Sequence, residues 1–128
     1  MTIWKWGVNY GGRNNPDHYD LLHTRGIVLG RVERCNYQVG DLVAVTSGFN
    51  VRAIVSVTGE PQPITNRPEL EATALEHNIE FIDNTVWAPC EWRELDEPIR
   101  LPIQAGNRQV RNPKLVGKVV NRWNEMNN

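Results

Sequence analysis

The sequence predicts an α+β fold in which five to seven short strands curl into a barrel, with about three helices packed beside them. Three features carry this prediction: a glycine-centred hairpin over residues 40–58, an aromatic strand over 3–10 and an apolar helical stripe over 112–123. With 128 residues, 40% hydrophobic and 23% charged, the chain can bury one core. We therefore expect one domain over residues 1–128.

The first strand, helix and second strand follow from alternation and from a capping signal. Trp4 and Trp6 alternate with smaller or polar residues along 3–10, as in an aromatic-rich strand. Alternate residues of a strand share a face, so the two indoles line either one core or one cavity. An Asn-Pro pair at residues 15 and 16 marks a helix start. We expect a short helix from there, ended by the glycine that opens a strand over 26–32.

The predicted hairpin has two β-rich arms, residues 42–46 and 51–57, joined by a four-residue loop from Ser47 to Asn50. A Gly-Asp turn at residues 40 and 41 precedes the first arm. Because both arms are almost continuously apolar, we expect strands that are buried on much of both faces, as in a small barrel or sandwich.

The second half of the chain is predicted to alternate loops, strands and two helices. In chain order the expected elements are a loop over 59–67, a helix over 68–77, strands over 81–82, 86–95 and 99–103, a polar loop over 106–111 and a final helix from 112. On the first of these helices, Leu70, Ala74 and Leu75 should face inward. The final helix begins with a second Asn-Pro cap, and its apolar stripe consists of Leu115, Val116, Val119, Val120 and Trp123. That stripe should pack on the barrel.

Charge is segregated along the chain, although the net charge is only -1. Residues 1–59 carry six basic and four acidic groups, residues 60–97 two and ten, and residues 98–128 six and one. The middle segment repels phosphate, whereas the ends tolerate it. Eleven of the 14 basic residues are arginine, which forks onto phosphate or carboxylate and stacks on flat rings. This composition favours basic residues that recognise a ligand over basic residues that only keep the protein soluble.

The sequence also bears on location and cofactors. No apolar run approaches the roughly 18 residues that span a bilayer, and the N-terminal residues lack the plan of a signal peptide. We expect a cytoplasmic protein with no membrane partner. Cys35 and Cys90 lie far apart and fit no close metal-ligand pair, so we expect two reduced thiols. Neither a metal nor a cofactor is expected.

Four motifs, taken in order, are similar to those of the PUA-like superfamily, in its EVE and YTH-like branch. They are the aromatic strand Trp4 to Asn9, the strand Gly26 to Gly30 after a short helix, the hairpin Gly40 to Val57, and the strand Glu91 to Leu95 before an apolar C-terminal helix. The resemblance implies a PUA-like pseudo-barrel, which makes residues 1–128 a single EVE/PUA-like domain. It also implies that a flipped or single-stranded base, often methylated, enters an aromatic-walled pocket.

The candidate base-binding residues are rings and small polar side chains of the predicted strands and hairpin. Five tryptophans are present, and stacking on such rings contributes about 1 to 3 kcal/mol per base. The small polar candidates either discriminate bases through their donors and acceptors or stabilise turns by bonding to the backbone; they are Asn9, Ser47 and Asn50. Phe49 either stacks on a ligand or tucks inward. The full set is Trp4, Trp6, Asn9, Ser47, Phe49, Asn50, Trp87 and Trp92. The simpler interpretation of each ring, and the one we expect for Trp123, is that it fills the core.

The candidate phosphate contacts are basic residues in polar loops, at a helix start and in the second hairpin arm. They are Arg13, Arg52, Arg108, Arg111 and Lys114. For any single one of these residues, the simpler interpretation is a solvated surface group.

No catalytic set is visible in the sequence. His18 and His23 are five residues apart rather than the four that share a helical face, so a paired metal site is not expected. Glu91 and Glu94 flank Trp92, and carboxylates so spaced on a polar strand usually form a solvated face. We therefore predict a binding protein and not an enzyme.

Three functions are compatible with these features. The leading hypothesis is a module that recognises a modified or flipped base of DNA or RNA. The second is a binder of free nucleotides or nucleotide-derived signals at the same pocket, which the near-neutral charge and the acidic middle segment favour. The third is an enzyme that modifies nucleic acid, for which a nucleophile or metal set is lacking. The oligomeric state is left open.

Overall fold

The computed structural model describes residues 1–8, 19–31, 36–76, 85–103 and 107–126. The strands within these ranges are β1 (Ile3–Gly7), β2 (Ile27–Arg31), β3 (Leu42–Ser47), β4 (Asn50–Val57), β5 (Gln62–Pro63), β6 (Thr85–Arg100) and β7 (Arg108–Gln109). The α-helices are α1 (Tyr19–Arg25), α2 (Pro68–Glu76) and α3 (Pro113–Met126), and a 3-10 turn covers Ile64–Asn66. The predicted α+β class, with five to seven strands and about three helices, is confirmed.

The strands form one mixed sheet in the order β2-β6-β4-β3-β1-β7, and β5 pairs with β6 beside this path. β1 lies parallel to β3, and the other pairs are antiparallel. Strand β6 pairs with β2 through residues 85–89 and with β4 through residues 90–100. It therefore links β2 to the rest of the sheet, which curls into a half-barrel.

The predicted hairpin is confirmed, with a tighter turn than the sequence indicated. Ser47 and Asn50 are already paired across β3 and β4, so only Gly48 and Phe49 form the turn. Gly48 has φ +61°, as a first central residue of a two-residue hairpin turn requires. The prediction of a turn at Gly40 is confirmed too, since this residue has φ +95°.

The sheet buries both of its faces. On the first, which we call the α1 face, strand residues such as Trp4, Val43 and Val55 pack with Leu22 of α1 and Leu70 of α2. On the second, the α3 face, α3 packs over the sheet. Its buried strand residues are Ile3, Leu42, Ala44, Val51 and Ile54, and the predicted α3 stripe contacts them. The expected packing of the final helix on the sheet is thus confirmed.

The start of the final helix is confirmed as well. The Asn112 side-chain oxygen accepts hydrogen bonds from the backbone N–H groups of Lys114 at 2.9 Å and Leu115 at 3.4 Å. These N–H groups have no partner inside the helix, so the asparagine caps α3 as its sequence position predicts.

Several predicted boundaries are wrong. The predicted strand 86–95 and the start of the predicted strand 99–103 form one strand, β6, which ends at Arg100. The register between β4 and β6 shifts between Val51 and Ala53 and absorbs the intervening residues, including Pro98. Each of the predicted loops over 59–67 and 106–111 contains a two-residue strand. In the first loop β5 pairs with β6, and in the second β7 pairs with β1. The proposed strand at 81–82 and the predicted start of α1 lie outside the described residues.

The predicted inward position of Leu75 is also wrong, because its side chain is 59% exposed. Leu70 and Ala74 are fully buried, as predicted. These two residues are four apart and so share one stripe of α2, whereas Leu75 lies about a quarter-turn beyond that stripe.

Candidate functional site

The first predicted base-stacking ring, Trp4, is part of a closed structural network. Its indole N–H donates to Asp41 Oδ2 at 3.0 Å, and the ring meets Tyr37 edge-on with 5.6 Å between centroids. The Asp41 carboxylate also accepts from the backbone N–H groups of Thr2 and Gln38 at 2.9 and 3.0 Å. Asp41 is 3% exposed and Trp4 is 8% exposed. Of the two sequence-based interpretations of Trp4, this geometry corresponds to the core.

Trp6 lies in the same core cluster as Trp4, which confirms that the two indoles share a face. Its exposed fraction is 3%. Strand register extends this face in two rows of directly opposed residues, which point to one side of the sheet. One row is Trp4, Val43, Val55 and Trp92, and the next is Trp6, Val45, Ala53 and Glu94. Each row thus has small aliphatic residues in the middle and a large side chain at either end.

At the β6 end of these rows, Trp92 meets two rings of helix α1. Tyr19 packs edge-on against Trp92 with 5.4 Å between centroids, and His23 lies tilted at 5.2 Å from it. Tyr19 and His23 are themselves 5.7 Å apart. The Trp92 indole N–H donates to the Ile27 carbonyl at 3.0 Å, which fixes the ring and covers a carbonyl of edge strand β2.

Two charged side chains complete this group. Glu94 accepts a hydrogen bond from the Tyr19 hydroxyl at 2.8 Å, and its other oxygen lies 3.3 Å from His23 Nε2. The Arg52 guanidinium carbon is 3.8 Å from the centroid of the Tyr19 ring. Arg52 reaches the ring from the point where the register of β4 and β6 shifts. We call the five residues Tyr19, His23, Arg52, Trp92 and Glu94 the α1–β6 cluster.

The α1–β6 cluster is partly open to solvent. Tyr19 is 5% exposed, whereas the side chains of His23 and Glu94 are 38% and 55% exposed. Burial, and then the hydrogen bond to Glu94, raise the pKa of the Tyr19 hydroxyl above its ordinary value of 10.0. At neutral pH the hydroxyl therefore keeps its proton and stays a donor to the carboxylate.

The hairpin-tip candidates lie at and beside the turn between β3 and β4. Phe49 is 46% exposed, and the Arg100 guanidinium carbon lies 5.3 Å from its ring centroid. Asn50 is exposed and is paired with Ser47 on one side and Arg100 on the other. Within the described residues, Phe49 is therefore an outward ring at the end of the hairpin and not a wall of the core.

Trp87 is on the same strand as Trp92 but in different surroundings. The two are five residues apart on β6, and both rings pack against the core cluster of the α1 face. Trp87 is half-buried, and the Arg67 guanidinium carbon lies 4.8 Å from its ring centroid. Arg67 in turn donates from Nε to Glu69 at 2.9 Å. The two candidate rings therefore border the same core cluster but have different neighbours, a guanidinium beside Trp87 and the rings of α1 beside Trp92.

The four candidate phosphate contacts that the structure describes lie on different elements. Arg52 is in the α1–β6 cluster, whereas Arg108 lies on β7 directly opposite Lys5. Burial, and then the charge of Arg108, lower the pKa of Lys5. Arg111 and Lys114 are exposed beside and on the first turn of α3. Asn9 and Arg13, the remaining two candidates from the N-terminal region, lie outside the described residues.

Other basic residues of the C-terminal segment attach α3 to β6. Lys118 Nζ donates to the Arg100 carbonyl at 3.4 Å, and Arg122 donates to the Glu97 carbonyl at 2.9 Å. Arg93, a β6 residue of the middle segment, adds a contact from the sheet: its guanidinium carbon lies 3.6 Å from the Trp123 ring centroid, and it donates to the Trp123 carbonyl at 3.1 Å. Part of the basic excess after residue 98 is thus explained by contacts that hold the helix on the sheet.

The described residues also bear on the expectations for thiols, metal ligands and membrane-spanning helices. Burial raises the pKa of the Cys90 thiol to about 12, so it is a protonated thiol at neutral pH; Cys35 lies outside the described residues. In the part of the chain that the structure describes, no three His, Cys, Asp or Glu side chains are grouped to hold a metal ion. Nor does any described helix have the length and apolar character to cross a membrane.

A cavity of about 690 Å³ lies elsewhere, between the residues around Tyr37 and the proline-containing segment before β5. Val39, Pro61, Pro63 and Val86 are among the described residues that line it. None of the described lining residues is a candidate base-binding residue, and none belongs to the α1–β6 cluster.

Sequence reasoning identified Trp92 and Arg52 but missed their partners. The sequence motifs indicate no role for Tyr19, suggest only a metal ligand for His23, and predict a solvated face for Glu94. Two signals could have found them. Tyr19 and His23 are four apart on a helix, and Trp92 and Glu94 are two apart on a strand, so each pair shares a face.

The comparisons with known proteins give no further guide to this site. A scan of family models found none that matches the chain, and a search of curated proteins found no matching relative.

Proposed function

We propose that the protein recognises a modified or flipped base of DNA or RNA, and that the base binds at the α1–β6 cluster. The proposal includes the finer fold assignment, a PUA-like domain of the EVE and YTH-like branch. One observation carries it: on one partly open corner of the α1 face, the rings of Tyr19, His23 and Trp92 meet both a carboxylate and a guanidinium.

The chemistry of these side chains suits a base. A base has a flat face for rings to stack on and an edge of donors and acceptors for polar groups to contact. His23 and Trp92 provide partly accessible rings, and Glu94 provides an exposed acceptor beside them. Arg52 provides a cation at the same corner, where a backbone phosphate would approach.

A base must leave its stack to reach such a corner. Extruding it from a duplex costs a few kcal/mol, and less when the base is already damaged, modified or single-stranded. The proposal therefore predicts tighter binding to single-stranded oligonucleotides than to a perfect duplex, and weaker binding as salt rises.

The test is a binding screen with matched variants. Oligonucleotides carrying modified and unmodified bases are titrated at low salt against the wild type, His23→Ala and Phe49→Ala. Each variant removes one partly exposed ring, but only His23 belongs to the α1–β6 cluster. We expect His23→Ala to weaken binding about tenfold, the loss of roughly one stacking contact, and Phe49→Ala to leave it nearly unchanged.

If Phe49→Ala weakens binding and His23→Ala does not, the site lies at the hairpin tip. If the folded wild type binds nothing at low salt, the proposal is wrong.

A second matched pair of variants tests the role of the Arg52 cation. Arg52→Ala should weaken binding and lower its salt dependence, whereas Arg67→Ala, which removes a guanidinium from Trp87, should change neither. Equal affinity for a mononucleotide and for an oligonucleotide would support the free-nucleotide hypothesis instead.

A further inference from the structure

We infer that Glu94 makes the α1–β6 cluster selective for bases that carry an exocyclic amino group, as cytosine, adenine and guanine do. This inference rests on the proposed function and specifies the chemistry of its ligand. It follows from the contacts of one carboxylate, from its exposure and from the hydrogen bond that its neighbour donates to it.

The Glu94 carboxylate is oriented by α1 but retains acceptor capacity. One oxygen accepts from the Tyr19 hydroxyl at 2.8 Å, and the other lies 3.3 Å from His23 Nε2. An ionised carboxylate offers about four lone-pair positions, so two protein contacts leave room for a ligand donor. With 55% of its side chain exposed, Glu94 can be reached from solvent.

The neighbouring hydroxyl does not offset this acceptor character. The Tyr19 hydroxyl already donates its proton to Glu94. Because the pKa of this hydroxyl is raised, the proton stays on Tyr19 at neutral pH. A ligand that contacts the carboxylate therefore meets an acceptor and must supply a donor. An amino group does so, whereas a carbonyl at the same position would face the carboxylate with its own lone pairs.

The bases that test this inference are compared two at a time, and in each comparison only one of the two carries the exocyclic amino group. Thymine and 5-methylcytosine share a ring and a methyl group but carry an oxygen and an amino group, respectively, at the same carbon. The single ring N–H of thymine lies between two carbonyls, so a carboxylate that approaches it meets an acceptor on either side. Hypoxanthine likewise lacks the amino group of guanine.

The experiment measures binding of single-stranded oligonucleotides that are identical except at one base. The pairs are 5-methylcytosine and thymine, cytosine and uracil, and guanine and hypoxanthine. For the wild type we expect the amino-bearing member of at least one pair to bind about tenfold or more tightly, the discrimination of one good base contact. Glu94→Gln, whose amide can donate as well as accept, should bring that ratio close to one.

Glu91→Gln is the matched control. Glu91 lies on the same strand, its side chain is 57% exposed, and it pairs with Arg93 and not with the α1–β6 cluster. It should keep the wild-type ratio, and thermal unfolding should show that both variants are folded. Binding without discrimination in the wild type, or discrimination that survives Glu94→Gln, overturns this inference alone. Absence of binding to every oligonucleotide overturns the proposed function and this inference with it.

Discussion

Two aromatic–carboxylate networks lie on the α1 face of the sheet, and they differ in how completely they are closed. In the first, Asp41 is 3% exposed and accepts from three donors, one of them the Trp4 indole. In the second, the side chain of Glu94 is 55% exposed and contacts Tyr19 and His23. The Asp41 carboxylate makes its hydrogen bonds within the protein, whereas the Glu94 carboxylate keeps acceptor positions directed at solvent.

Because of this difference, one face of the sheet can serve both stability and binding. A buried carboxylate is costly unless its hydrogen bonds are made, so the complete Asp41 network should contribute to the stability of the fold. The α1–β6 cluster is under no such demand, because water can satisfy whatever Tyr19 and His23 do not. Stability should therefore depend on the first network and binding on the second.

The largest expected effect tests the closed network. Asp41→Ala should lower the free energy of unfolding by about 3 kcal/mol, because three donors lose an acceptor at roughly 1 kcal/mol each. Glu94→Ala, at an exposed site, should cost less than about 1 kcal/mol. Urea unfolding at neutral pH measures both. The comparison fails if the two variants lose similar stability.

A smaller effect separates the two indoles. Trp4→Phe keeps a ring but removes the N–H that Asp41 accepts, so we expect a loss of about 1.5 to 2 kcal/mol in unfolding free energy, with oligonucleotide affinity unchanged. Trp92→Phe should cost about 1 kcal/mol through the lost bond to Ile27 and should also weaken binding. Weakened binding in a folded Trp4→Phe variant would place Trp4 in the site after all.

The smallest effect is a pH dependence that arises in the α1–β6 cluster. Burial and the bond to Glu94 raise the pKa of Tyr19 in the folded protein, whereas in the unfolded chain it ionises near 10. Its contribution to stability is therefore complete below pH 10 and is lost as the pH rises above that value. Unfolding free energies measured from pH 8 to about 11 should fall less steeply for Tyr19→Phe than for the wild type. Equal slopes would show that the hydroxyl is not held as described.

Local sequence was enough to predict several elements. The hairpin followed from two apolar arms around a glycine, and its turn needs the positive φ that Gly48 has. The start of α3 followed from Asn112, whose side chain caps the helix within three residues. These features depend on neighbours along the chain, so local preferences determine them.

Elements whose stability comes from distant partners were not predictable in this way. The two-residue strands β5 and β7 have no strand-like run of their own and exist only because β6 and β1 lie beside them. The register shift opposite Arg52 joins two predicted strands into β6 and is likewise a property of the pair β4–β6.

The class of fold, the hairpin, the final helix and the number of rings and arginines can be predicted from the sequence alone. Which rings are enclosed and which are open depends on the tertiary structure. Trp4 is enclosed by a carboxylate 37 residues away, and the α1–β6 cluster forms when Tyr19 meets Glu94 across 75 residues. The physical reason is that burial and hydrogen bonding depend on the neighbours a side chain has in space, and spacing along one segment does not specify those neighbours.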